Sequence, residues 1–114
     1  MTIDKLKIAA KFLGIGSKND GFVIIDDSHH RLEWLLSPDG RNSMERRLRA
    51  KKLNIWSMQK SSGHNTVCLI WPETAYLGIC TVHRGICDDT RAPMAECIIE
   101  AICDLVAKLG RVKP

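Results

Sequence analysis

Apolar and polar positions change their period twice along the chain, dividing it into helical ends around an extended middle. Over residues 3–13, Ile3, Leu6, Ala9, Ala10 and Leu13 share one face at helical spacing. Thr2 is placed to cap that helix and Gly14 to stop it. Residues 14–21 (GIGSKNDG) have loop composition. Phe22–Ile25 is a short apolar run of strand type, and DDSHHRLEWLL after it is ambiguous between helix and extended chain. SPDG at 37–40 is turn chemistry. A second helix is expected over 41–52, where a narrow stripe of Met44 and Leu48 predicts shallow burial.

The middle third reads as sheet. Leu53–Gln59 and Thr66–Trp71 flank the Gly-containing loop KSSGHN, Pro72-Glu73 turns the chain, and Ala75–Val82 supplies a third strand of an antiparallel meander. In the last helix, Pro93 suits a first turn after Asp89 or Thr90, and Gly110 follows the last periodic residue. Glu96, Glu100, Asp104 and Lys108 form one stripe of it. Met94, Ala95, Ile98, Ile99, Ala101, Ile102, Leu105, Val106 and Leu109 cover a wide opposite arc, as in a helix laid across a sheet. Each large aliphatic fully buried there contributes on the order of 1.5–3 kcal/mol. The expected fold is α+β: a single domain over 1–114, with an antiparallel three- to four-stranded sheet and helices packed on it as an α-β-α sandwich.

Composition narrows the class. With 114 residues, 45% hydrophobic and 26% charged, the chain can bury one core and is not disordered wholesale. No apolar run approaches the length of a membrane span, and MTIDKLKIAAKFLGIG lacks the apolar core of a signal peptide, so a cytoplasmic protein is expected. The five cysteines (68, 80, 87, 97, 103) make an odd number, which fits reduced thiols, most of them small core residues.

Charge is concentrated. The net charge is +4, yet residues 41–52 (RNSMERRLRAKK) hold six basic groups and one acid, leaving the other 102 residues at −1. Arg41, Arg46, Arg47, Arg49, Lys51 and Lys52 are therefore the candidate partner-binding residues. An acidic protein or ribonucleoprotein surface, nucleic acid, or water alone would satisfy them. Nucleic-acid binders pair such clusters with aromatics. Trp34 precedes the segment and Trp56 follows it, although Trp56 on a strand reads as core.

Catalytic and metal signatures are weaker. Cys80, His83 and Cys87 have C-x2-H-x3-C spacing, with Cys68 or His64 as a fourth donor, but a regular strand would send 80 and 83 to opposite faces unless the chain turned at Arg84-Gly85. Asp26, Asp27, His29, His30 and Glu33 are clustered. A helix starting at Ser28 would align His29 or His30 with Glu33 for a metal or a general base. The alternative for both is ordinary core and surface polarity. No G-x-S-x-G, phosphate-cradling Gly loop or HExxH is present, and Gly14-Ile15-Gly16 is a helix stop. Cys97 borders the acidic stripe of the last helix; the sequence leaves open whether it is exposed, and neighbouring carboxylates would in either case disfavour a reactive thiolate. No catalytic residue, cofactor or metal is assigned.

Two stretches resemble a known family. S37-P38-D39-G40-R41-N42-S43-M44-E45 running into L53-N54-I55-W56 is similar to the S-T-D-x-x-A-x-W-E pattern of the phage ABA-sandwich domain family, with Pro38 for the usual Thr and Met44 where an aromatic is common. D88-D89-T90-R91-A92-P93-M94-A95-E96-C97-I98-I99-E100-A101 resembles its D-T-A-P-L-A-x-C-x-A-A-L signature. The resemblance spans 34–109 and implies an antiparallel sheet between helical layers and an origin in a bacteriophage or prophage accessory locus. It brings no catalytic residues. The RRLRAKK run is more basic than the family pattern. The order helix, three strands, helix is also that of double-stranded-RNA-binding domains, but Asp88, Asp89 and a single Arg91 stand where those place lysines. The expected function is thus a small non-catalytic phage accessory protein in the bacterial cytoplasm. It would bind a host component through 41–52, an anti-CRISPR-like inhibitor of host defence being one instance. A nucleic-acid-binding accessory protein using the same helix is the alternative.

Overall fold

The apolar face of the first helix forms as its spacing predicts. In the computed structural model, described over residues 2–17, 21–25, 27–59, 66–73, 83–87 and 94–112, α1 runs Ile3–Phe12 and buries Leu6, Ala9 and Ala10. Gly14 ends it at φ 71, a left-handed conformation that lets the Ile15 N–H reach back to the Ala10 carbonyl at 2.9 Å. Thr2 holds the N-cap position without a side-chain capping bond.

A small antiparallel sheet follows: β1 (Gly16–Ser17), β2 (Phe22–Ile25) and β3 (Ser28–Arg31). The stretch 14–21 is therefore not loop throughout, because Gly16 and Ser17 pair with Ile24 and Val23. Val23 and Ile25 alternate inward. The ambiguous segment resolves into β3 and a 3-10 helix, Leu32–Leu36, whose buried Leu32 and Leu35 lie three residues apart, matching its period.

Helix α2 runs Pro38–Ala50, so SPDG is a helix start and not a free turn. Ser37 Oγ accepts from the Gly40 N–H at 3.0 Å and donates to the Trp34 carbonyl at 2.6 Å, while Pro38 takes the first helical position, where its missing N–H costs nothing. The helix ends before Lys51 and Lys52, which turn the chain, Lys52 at φ 64. Burial is deep where it was expected to be shallow. Met44 and Leu48 are fully buried, and Gly40 beside them lets the helix backbone come close to the 3-10 helix.

The second sheet is the antiparallel meander β4 (Leu53–Gln59), β5 (Thr66–Pro72) and β6 (His83–Cys87). Ile55 stands opposite Ile70 and Ser57 opposite Cys68. The third strand expected at 75–82 and the loop KSSGHN lie outside the described residues. Among the described residues the third strand is β6, with Gly85 inside it opposite Cys68 and not at a turn. Among the described residues the two sheets share no strand pairing, so the described strands lie in two antiparallel three-stranded sheets and do not join into the one sheet expected. The 3-10 helix and α2 intervene between β3 and β4 and separate them.

Helix α3 (Met94–Val112) carries the centre of the core: Ala95, Cys97, Ile98, Ile99, Ala101 and Ile102 are fully buried. It packs against β5 and β6, against α2, and against α1. Covering on several sides is what its broad apolar arc requires. The helix continues through Gly110, where a glycine near a helix end costs only about 1 kcal/mol relative to Ala; Leu109 is exposed. Helices gather on the Leu53–Ile55–Cys68–Ile70 face of the second sheet. Trp56, on the other face, is 45% exposed and not core. Among the described residues no helix is long and apolar enough to cross a membrane.

Candidate docking face and cleft

At 3.6 residues per turn, the basic residues of α2 divide by position around the helix. Gly40, Ser43, Met44 and Leu48 form its buried arc. Arg46 and Arg49 stand on the opposite, exposed arc with Asn42 and Asp39. Arg41 borders the buried arc and Arg47 falls within it, between Ser43 and Gly40; both are half-buried. Arg41 is turned inward along its own helix, its Nε 3.3 Å from Glu45 Oε1. No carboxylate among the described residues pairs with Arg46, Arg47 or Arg49. Lys51 lies in the turn with its Nζ 5.0 Å from the centre of the Phe12 ring, a cation–π contact that ties α1 to the end of α2. Lys52 is exposed beside it, and its carbonyl accepts from the Glu73 N–H at 3.0 Å. The six candidate residues are thus carried by α2 and the turn after it, but they are spread around the helix and are not equivalent. Among the described residues Arg46, Arg47, Arg49, Lys51 and Lys52 have no carboxylate partner, and of these Arg46, Arg47 and Arg49 lie on the helix itself.

Two open depressions flank Arg46. A cleft of about 490 Å³ is lined by Ile25, Ser28, His30, Trp34, Asp39, Asn42 and Arg46. A smaller groove of about 210 Å³ is lined by Ser43, Arg46, Arg47 and Ala50. In the larger one His30 stacks on Trp34, with ring centroids 4.3 Å apart and planes 20° from parallel. The stack forms because β3 hands directly to the 3-10 helix, which folds Trp34 back over the strand that holds His30. Sequence reasoning placed Trp34 only as an aromatic neighbour of the basic run and missed His30 as its partner. The four-residue spacing of the two rings was the available signal.

The other candidates separate. His29 and His30 are successive residues of β3 and point to opposite faces; Asp27 sits in the β2–β3 turn at φ 66 and Glu33 in the 3-10 helix, so the helix that would align them is not formed. Asp26 lies outside the described residues. His83 and Cys87 are the two ends of β6, roughly 13 Å apart along an extended strand, too far to share one zinc. Cys80 and His64 lie outside the described residues. Among the described residues no three His, Cys, Asp or Glu side chains gather as a metal would require.

Cys97 is fully buried and lies beside Cys68 of β5, while α1 packs along the Glu100 and Cys103 side of α3. The same packing modifies the acidic stripe: Glu100 Oε1 lies 2.6 Å from Lys5 Nζ of α1, and Asp104 pairs with Lys108 at 3.1 Å. That hydrogen bond to Glu100 holds the Lys5 ammonium above its ordinary pKa. Burial, with a smaller contribution from Cys97, pushes the Cys68 thiol up to about 12. Burial and then Glu100 raise Cys103, whose Sγ lies 3.7 Å from the Lys5 carbonyl. These thiols are protonated and inert at neutral pH.

Compared with known proteins, the chain matches no family model, no curated protein and no solved structure.

Proposed function

We propose that the protein is a non-catalytic binding module that docks an acidic host protein or ribonucleoprotein surface through α2 and the turn after it. The observation that carries this reading is the group Arg46, Arg47 and Arg49, three guanidinium groups on a fully anchored helix with no carboxylate partner among the described residues. Charge of this kind accelerates encounter and selects against basic partners more than it adds affinity. Met44 and Leu48 fix the helix from beneath, so the arginines are presented on a rigid support. The resemblance of 37–56 and 88–101 to phage ABA-sandwich domains supports a cytoplasmic role in a bacteriophage or prophage accessory locus, with antagonism of host defence, in the manner of an anti-CRISPR protein, as one form of it.

The test is a tagged pull-down from bacterial lysate, with and without nuclease, comparing wild type with Arg46→Glu/Arg47→Glu/Arg49→Glu. The expected outcome is a discrete protein partner that survives nuclease and is lost with the triple variant. Retention of that partner by a folded triple variant would end the reading. Nucleic acid is the second reading, favoured by the His30–Trp34 stack beside Arg46; capture that vanishes with nuclease would select it.

A further inference from the structure

The larger cleft has a chemistry that charge docking does not use. It is polarised along α2: Asp39 at one end and Arg46 at the other are two turns of one helix apart, roughly 10 Å. Between them Asn42 offers an amide that can both donate and accept, and Ser28 on β3 offers a hydroxyl. The wall is aromatic, formed by the stacked His30 and Trp34. Its volume, about 490 Å³, falls in the range of small-molecule sites. Every polar group is supplied by ordered structure: α2 is capped and deeply seated, and β3 is paired along its length to β2.

We infer that this cleft binds a nucleotide, its base stacked on the His30–Trp34 wall with its amino edge at Asp39, and its phosphate at Arg46. A plain anion would be repelled by Asp39, and an apolar ligand would leave Asp39, Asn42 and Arg46 desolvated without partners. A nucleotide has the matching polarity, with N–H donors on the base edge, a flat ring for stacking, and a phosphate beyond the sugar. Among the bases, guanine presents two adjacent N–H donors, which one carboxylate can accept together, so guanine is the preferred base. The phosphate end opens toward the groove lined by Arg46 and Arg47, so a second phosphate or the next unit of a single strand has a cationic path to follow. This site does not depend on the protein-docking reading, which uses Arg47 and Arg49 as well.

The experiment titrates the full chain with GMP, UMP, guanosine, inorganic phosphate and a short single-stranded RNA containing one guanine, followed by tryptophan fluorescence and calorimetry. GMP is expected to bind saturably and about tenfold more tightly than UMP, guanosine or phosphate, the worth of one charge-assisted contact. Arg46→Ala should remove the advantage of GMP over guanosine, and Asp39→Asn the advantage of GMP over UMP. Both positions are exposed, so both variants should fold. Arg49→Glu, which lines neither depression, should retain GMP binding, which separates this site from the docking face. RNA binding much tighter than GMP would identify a strand as the source of the nucleotide, and equal binding a free nucleotide; either supports the site. Absence of saturable GMP and RNA binding, equal affinity for all the probes, or unchanged selectivity in both single variants would overturn it.

Discussion

Gly40 sits in the first turn of α2 against the 3-10 helix, and replacing it with alanine sets two effects in opposition. A Cβ at this position would lie 2.2 Å from the Trp34 carbonyl oxygen, 2.6 Å from Leu35 Cα and 2.7 Å from the Leu35 carbonyl carbon. All three are backbone atoms, so no side-chain rotation relieves the overlap. Carbon contacts settle near ~3.5 Å, which means α2 must retreat by about 1 Å. Alanine is intrinsically better than glycine in a helix by about 1 kcal/mol. Overpacking typically costs about 1–3 kcal/mol, and here the retreat also stretches the two Ser37 hydrogen bonds at the same junction, each worth about 1 kcal/mol net. The overlap wins, and Gly40→Ala should destabilise by roughly 2 kcal/mol. In urea unfolding, with a slope of about 1–2 kcal/mol/M, the midpoint should fall by about 1–2 M. Gly21→Ala is the control, since its Cβ would meet nothing within 4 Å, and should stay within about 0.5 kcal/mol of wild type. A Gly40→Ala midpoint equal to or above wild type would refute the close approach of α2 to the 3-10 helix, and with it the width of the cleft between Trp34 and Asp39.

Ser37→Ala removes the cap of α2 and should cost about 1 kcal/mol, with loss of helicity confined to the first turn in amide exchange. A double-mutant cycle on Lys5 and Glu100 should give a coupling of only about 0.5 kcal/mol, because both side chains are partly exposed, despite their 2.6 Å separation. Stability should decline in alkali. Cys68 keeps its proton in the folded chain to about pH 12, whereas in the unfolded chain it releases it near the ordinary thiol value of 9.0. Above pH 9 the unfolded state therefore binds fewer protons, and stability falls with rising pH by up to about 1.4 kcal/mol per unit, with no such contribution below. Urea titrations at stepwise pH should show this slope in wild type and a shallower one in Cys68→Ala; Cys103 and Lys5, both raised in the same direction, contribute to the remaining slope.

The elements whose burial follows a simple period were legible in the sequence: α1 from Leu6, Ala9 and Ala10, β2 from Val23 and Ile25, and α3 from its broad isoleucine arc. Elements set by tertiary approach were not. Pro38 and Gly40 favour turns in an isolated chain, yet here one starts a helix and the other lets that helix touch a neighbouring backbone. Cys97 follows the same rule, since its burial depends on α3 lying against β5 beside Cys68, which no local pattern states. For the candidate site, local charge density marked α2 but could not sort its arginines. Only the fold shows that Arg41 is engaged by Glu45 while Arg46 is shared by two depressions. The cleft itself depends on contact between β3, the 3-10 helix and α2, three elements whose boundaries were ambiguous or displaced in the sequence.

The claim that α2 docks an acidic partner by charge is tested most directly by the association rate of that partner, once captured, as a function of ionic strength, for wild type and for Arg46→Glu/Arg47→Glu/Arg49→Glu. The wild-type rate should fall steeply from low to physiological salt as screening shortens the reach of the field, while the triple variant associates slowly at every salt concentration. A wild-type rate independent of salt, or a folded triple variant that associates as fast as wild type, would contradict it.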